Sequence, residues 1–135
     1  MSSSTPSSEF VADTVAVVVW LEHRRMGANA RSAFDLAEQG AARIYIPAIV
    51  FAELGYLTEK GRIQTSLNEL LNQMSKHSAI VEQPLTAAIV NVAFTINDIP
   101  ELHDRLIAAT AKHMNTALIT TDHVIQASSS VETIW

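Results

Sequence analysis

The stretch from Leu102 to Asp122 constrains this chain more than any other. Leu102-His103-Asp104-Arg105-Leu106-Ile107-Ala108-Ala109-Thr110-Ala111 reads as a helix with an acid in its first turn. At helical spacing Asp104 stands beside Ile107, Ala108 and Ala111, so it heads an apolar stripe that must face a core. A carboxylate in that position costs desolvation energy unless something compensates it. Ala117-Leu118-Ile119-Thr120 then reads as a short strand, and the chain reaches a second acid, Asp122. In parallel α/β sheets, ligands bind just beyond the carboxyl ends of strands. Two acids are therefore expected at one site.

The rest of the chain alternates in the same way. Glu9 to Ala12 is expected to be an opening strand that ends at Asp13. The apolar run from Val15 to Trp20 has no readable period, because an unbroken hydrophobic stretch fits strand and buried helix alike. The polar continuation Glu22-His23-Arg24-Arg25 favours a buried helix running to about Met26-Gly27. Ala28 to Gln39 is a second helix stopped by Gly40. Arg43 to Ile46 is a strand, and Pro47 opens a helix where its missing N–H costs nothing. That helix is expected to reach Lys60-Gly61. Ile63 to His77 forms another, with Leu67, Leu70, Leu71 and Met74 on one stripe. Ser78 to Val81 is a strand, Pro84 to Ile96 a helix, Asn97-Asp98 a turn, and Ile99 to Met114 the helix carrying Asp104. Val131 to Trp135 is a last, edge strand. Strands alternating with helices imply an α/β fold with a mainly parallel sheet covered on both faces.

Length allows one domain with a substantial core, and nearly half of the 135 residues are hydrophobic, so the chain is globular rather than disordered. Residues 1–8 are a Ser-rich leader. It lacks the basic start and hydrophobic stretch of a signal peptide, so it reads as a flexible tail before a single domain over residues 9–135. No apolar run approaches a membrane span. The absence of cysteine excludes disulfides and thiolate metal sites and fits a cytoplasmic protein. A net charge of −5 argues against a broad electrostatic grip on nucleic acid. It leaves room for a nuclease, whose metal-site acids inflate the negative count and whose substrate is held by a few local cations.

Two further acids join the first pair. Asp13 follows the first strand. Glu53 is the only charged residue between Arg43 and Glu59, and its helical neighbours Ile49, Ala52 and Tyr56 suggest that it faces inward. Taken singly, each acid has a bland explanation: Asp13 and Asp122 as turn formers or helix caps, and Asp104 as a favourable charge on a helix dipole. Capping does not explain why all four should gather at one end of one sheet. Two carboxylates about 4 Å apart repel by about 4 kcal/mol at an effective dielectric of about 20. Protonation relieves that repulsion, and so does a hard divalent cation, Mg²⁺ or Mn²⁺, which suits an oxygen-only set of ligands. Thr14, Thr120 and Thr121 lie beside the strand-end acids, placed to orient a carboxylate or hold water.

This pattern resembles the PIN-domain family, in particular its VapC-type toxin ribonucleases. The resemblance rests on Asp13-Thr14, on Glu53 within Phe51-Ala52-Glu53-Leu54-Gly55, on Asp104 within His103-Asp104-Arg105-Leu106-Ile107-Ala108-Ala109-Thr110-Ala111, and on Asp122 within Leu118-Ile119-Thr120-Thr121-Asp122. It covers almost the whole chain beyond the leader. It implies a three-layer α/β/α sandwich around a parallel sheet of four or five strands. It also implies metal-dependent cleavage of phosphodiesters, usually in RNA, with Asp13, Glu53, Asp104 and Asp122 as the catalytic metal site. A small antitoxin protein is the implied partner. Val15 departs from the family, which often has Ser or Asn two residues after the first acid.

Other residues carry less. Arg24, Arg25 and Arg31 are candidates for an RNA-contacting patch near the mouth of the site; a solvated helix face is the alternative. Arg105 is expected to pair with a neighbouring carboxylate. His103 and His123 flank two of the acids without being needed as ligands, and Trp20 and Trp135 read as packing or interface residues rather than base-stacking platforms. The apolar runs Val15–Leu21 and Ile63–Met74 look too hydrophobic for a monomer's surface, which suggests a homodimer. A housekeeping PIN nuclease of RNA maturation and a catalytically silent PIN interaction module are the competing readings. A phosphotransfer domain using Asp13 as nucleophile ranks below both, because no second acid lies two residues after it.

Overall fold

A computed structural model describes residues 8–135. The leader therefore lies, but for Ser8, outside the described residues. Five strands form one fully parallel sheet in the order β3-β2-β1-β4-β5. They are β1 (Glu9–Ala12), β2 (Arg43–Pro47), β3 (Ile80–Gln83), β4 (Ala117–Ile119) and β5 (Thr133–Ile134). The helices are α1 (Thr14–Leu21), α2 (Ala28–Glu38), α3 (Ala48–Glu59), α4 (Leu67–Lys76), α5 (Ala87–Ala93), α6 (Leu102–Met114) and α7 (His123–Gln126). This is the expected three-layer α/β/α sandwich. Among the described residues no helix is long and apolar enough to cross a membrane.

The central strand is β1, with β2 on one side and β4 on the other. The order of strands reverses there, so the crevice beyond the carboxyl ends of β1 and β4 is a topological switch point. The register brings the two ends level: Ala12 pairs with Ile119. The Asp13 N–H donates to the Ile119 carbonyl at 3.2 Å, which carries the pairing one residue past β1.

Helix α1 shows why its period was unreadable. Thr14 and Ala16 through Leu21 are all buried, and only Val15 is exposed. A helix hydrophobic on every side is surrounded by its own fold. The Val15–Leu21 run is thus absorbed within one chain, and it gives no reason for a second subunit. The helix also ends sooner than expected, at Leu21 rather than Met26. Glu22 caps it, and His23 leaves the helical region at φ 54°. The Glu22 carboxylate accepts from the N–H groups of Gln64 and Thr65 at 2.9 and 3.0 Å, fastening α1 to the approach to α4. Those backbone bonds, Thr65 first, hold its pKa below the usual value.

Several boundaries differ for local reasons. Ser66 caps α4, so that helix begins at Leu67 and not at Ile63. On its stripe Leu70 is fully buried, whereas Leu67 and Leu71 are exposed. Thr86 caps α5, which is shorter than the Pro84–Ile96 span. Glu101 caps α6, delaying its start from Ile99 to Leu102. Gly40, at φ +77°, stops α2 as expected. Trp20 packs as read: it stacks on Phe34 at 5.2 Å between ring centroids, and its indole N–H donates to Glu38 at 2.7 Å.

Candidate active site

A pocket of about 800 Å³ opens beyond β1 and β4. Its lining includes Asp13 and Thr14 from the β1–α1 junction and Glu53 from α3. It also includes His103 and Asp104 from α6, and Thr121 and Asp122 after β4. The four acids singled out in the sequence thus share one cavity. No Lys or Arg stands among the lining residues.

Each acid reaches the pocket through its own element. Asp13 follows the central strand and caps α1, its Oδ1 accepting from the Ala16 N–H at 2.9 Å. Asp122 does the same for α7, its Oδ1 accepting from Val124 and Ile125 at 2.9 and 3.0 Å. Cap and pocket wall are therefore not alternatives, since one carboxylate serves as both. Asp104 heads the α6 stripe, with Ile107, Ala108 and Ala111 buried behind it. Glu53 differs from expectation. The core face of α3 carries Val50 and Leu54, whereas Ile49, Ala52 and Tyr56 form the pocket wall with Glu53.

Threonines connect the acids. The Thr14 hydroxyl donates to Glu53 Oε1. The fully buried Thr120 hydroxyl accepts from the Asp122 N–H at 3.0 Å and is a hydrogen-bond partner of the Asp13 carboxylate. Thr121 is in the lining itself.

The electrostatics record the crowding. Burial pushes the Asp13 carboxyl up to about 6, against the bonds from Thr120 and Ala16 that favour its charged form; the charges of Asp122 and Glu53 add to the rise. Burial also raises Asp104 to about 6, followed by the charges of Asp122, Glu101, Glu53 and Asp13. Four carboxylates, with no Lys or Arg in the lining and His103 the single ring-nitrogen donor there, fit a hard divalent cation. Among the described residues no three His, Asp or Glu groups are gathered closely enough to grip one ion. Carboxylates facing one cavity repel one another, a repulsion that bound positive charge would offset.

Other expectations fare differently. None of Arg24, Arg25 and Arg31 lines the pocket. Arg24 pairs with Glu22 beside a separate hollow, and Arg31 lies 3.9 Å from Asp35. Among the described residues Arg105 pairs with no carboxylate. Its guanidinium donates to the carbonyls of Ile99 and Pro100 at 2.7 and 3.0 Å and lies over the Phe94 ring. His103 lines the pocket and is tied to Glu101 at 2.9 Å, while His123 is exposed on α7. The sequence reading missed Glu101, which accepts the Asp104 N–H at 2.8 Å and so sets the first turn of α6. Its signal was a side-chain acceptor three residues before Asp104, obscured because Glu is not among the preferred capping residues.

The sequence matches the profile of the PIN domain over residues 10–128. No curated protein matches it. Among solved structures it is similar to VapBC2 from Rickettsia felis bound to a promoter DNA fragment, with TM-score 0.70 and 18% identity over 94% of this chain and 98% of that one. A toxin-antitoxin complex from Klebsiella pneumoniae gives TM-score 0.62 and 17% identity, covering 96% of this chain and 97% of that chain. FitAcB from Neisseria gonorrhoeae gives 0.62 and 19%, covering 93% and 96%.

Proposed function

The chain belongs to the PIN domain family, and on that footing we propose that it is a Mg²⁺- or Mn²⁺-dependent endoribonuclease, the toxin of a toxin–antitoxin pair acting in the cytoplasm. One observation carries the reading. Asp13, Glu53, Asp104 and Asp122 line a single pocket at the switch point of a parallel sheet, with no Lys or Arg among its walls. Such a pocket is poorly suited to a phosphodiester until a cation reverses its sign.

A divalent cation held by these four carboxylates would supply Lewis acidity toward the phosphate and a lowered pKa for water. The chain's own residues do the positioning. Thr14 holds the Glu53 carboxylate, and Thr120 holds Asp13 while fixing the backbone of Asp122. The caps on α1 and α7 keep Asp13 and Asp122 from rotating freely. Glu53 or Asp122 orients the attacking water and takes its proton.

The toxin assignment draws on the likeness to a Klebsiella pneumoniae toxin-antitoxin complex, along with the motif resemblance. An antitoxin would cover the acidic pocket. The exposed Leu67 and Leu71 on α4 support a homodimer, which sedimentation tests directly.

The deciding experiment is cleavage of total RNA by the purified chain with Mg²⁺, with Mn²⁺ and with a chelator, with the new ends mapped. Metal-dependent cuts leaving 5′-phosphate and 3′-hydroxyl ends are expected. Cleavage that survives the chelator overturns the reading. Growth arrest on expression, relieved by a neighbouring small protein, tests the toxin role.

A further inference from the structure

We propose that Tyr56, backed by Lys60, forms a platform on which single-stranded RNA seats a base beside the acidic pocket. The inference rests on the ribonuclease reading and adds to it the means by which so acidic a site holds its substrate. Four carboxylates repel every phosphate of an approaching strand, and a cation among them offsets that repulsion only locally. The flanking nucleotides need a hold of their own.

Tyr56 is placed to give one. It lies three residues after Glu53 on the same face of α3, in the pocket wall, and it is 57% exposed. An aromatic ring left this open at a cavity mouth contributes little to the core, yet it offers a π-face to any base. One turn on, the Lys60 ammonium lies over the ring, 5.4 Å from its centroid. Among the described residues Lys60 makes no ion pair, whereas Arg24 and Arg31 are engaged with Glu22 and Asp35 and Arg105 with carbonyl groups. Ring and ammonium together suit a nucleotide: the ring face away from Lys60 takes the base, and the ammonium, which makes no ion pair among the described residues, takes a phosphate.

The test measures binding of a short, mixed-sequence, fluorescein-labelled oligoribonucleotide by anisotropy. Asp104→Asn serves as the parent, so that the probe survives. Tyr56→Ala is expected to weaken binding about tenfold, with Tyr56→Phe staying within about twofold of the parent. Lys60→Ala is expected to weaken binding and to flatten the slope of log affinity against log salt by about 0.7. Equal binding by the parent and Tyr56→Ala overturns the platform and leaves the wall to a protein partner. Equal loss in the Phe and Ala variants, or no binding by the parent, also overturns it. Cleavage of the same probe by the unaltered chain is scored separately. Tyr56-dependent binding without metal-dependent cleavage sinks the nuclease reading and keeps the platform; cleavage with Tyr56-independent binding does the reverse.

Discussion

The Thr14 hydroxyl donates a hydrogen bond to the Glu53 carboxylate, joining the first residue of α1 to the middle of α3. The two residues are 39 apart in sequence, and the bond crosses the edge of the acidic pocket. It holds an acid whose helix would otherwise let it swing toward solvent. Thr14→Val keeps the shape and removes the donor. Stability should fall by about 1 kcal/mol, the usual net value of such a bond. Activity should fall further, by roughly tenfold, with a raised Mg²⁺ requirement, because partners that orient a metal-binding carboxylate typically matter to that extent. Thermal melts and Mg²⁺ titrations of cleavage check both. An unchanged Mg²⁺ requirement would mean that Glu53 is placed by α3 alone.

Asp104→Asn separates chemistry from folding. Asp104 is raised to about 6 by burial first and by four neighbouring acids after it. Its charge therefore strains the metal-free protein at neutral pH. Removing that charge should leave the fold intact and, without metal, stabilise it by on the order of 1 kcal/mol once its partial exposure is allowed for. Cleavage should be lost. Full Mg²⁺-dependent activity in this variant would remove Asp104 from the proposed metal site.

The pH dependence follows with a definite sign. Asp13 and Asp104 both have folded pKa values of about 6, above the 3.8 of an unperturbed Asp. Between those values the native state binds more protons than the unfolded chain, so these two groups make stability fall as pH rises from about 4 to about 6. A cation that binds the ionised pair reverses the effect. Mn²⁺ should therefore raise the melting temperature markedly at pH 7.5 and hardly at all at pH 4.5, where protons occupy the same oxygens. Calorimetry at the two pH values, with and without Mn²⁺, measures it. Equal stabilisation at both would place the ion elsewhere.

The sequence revealed most where local patterns and global fold agree. The strand-end acids Asp13 and Asp122 and the stripe below Asp104 carry their meaning in nearest neighbours and helical spacing, and the structure sets them in one pocket. What escaped depended on contacts between distant segments. Glu22 ends α1 by reaching residues 64 and 65, and no pattern near Glu22 announces that. The carbonyls that capture Arg105 lie in an irregular stretch before α6, so a carboxylate partner looked the natural choice. Val15–Leu21 suggested a dimer because composition alone cannot show that one chain wraps a helix on all sides. Tyr56 looked like the inward neighbour of Glu53, since spacing tells which residues share a face but not whether that face meets core or cavity.

Strand β4 is supported through β5 and the start of α2. Helix α2 has no side-chain cap at Gly27; instead the Trp135 carbonyl accepts from the N–H groups of Asn29 and Ala30 at 3.1 and 3.4 Å. The backbones approach so closely that a Cβ on Gly27 would fall 2.4 Å from the Trp135 carbonyl carbon. Its φ of −62° is open to any residue, so close approach and not conformation demands glycine here. Gly27→Ala must push Trp135 away, which breaks the cap and strains β5, at a cost of about 1–3 kcal/mol. Strand β5 in turn holds the end of β4, where the Thr120 N–H donates to the Ile134 carbonyl at 3.1 Å. The strain should therefore reach the Thr120 hydroxyl that serves Asp13 and Asp122, lowering activity per folded molecule as well as the melting temperature. Denaturant melts paired with activity measured well below the transition distinguish the two effects. A destabilised variant with full activity would show that β4 keeps Thr120 in place without β5.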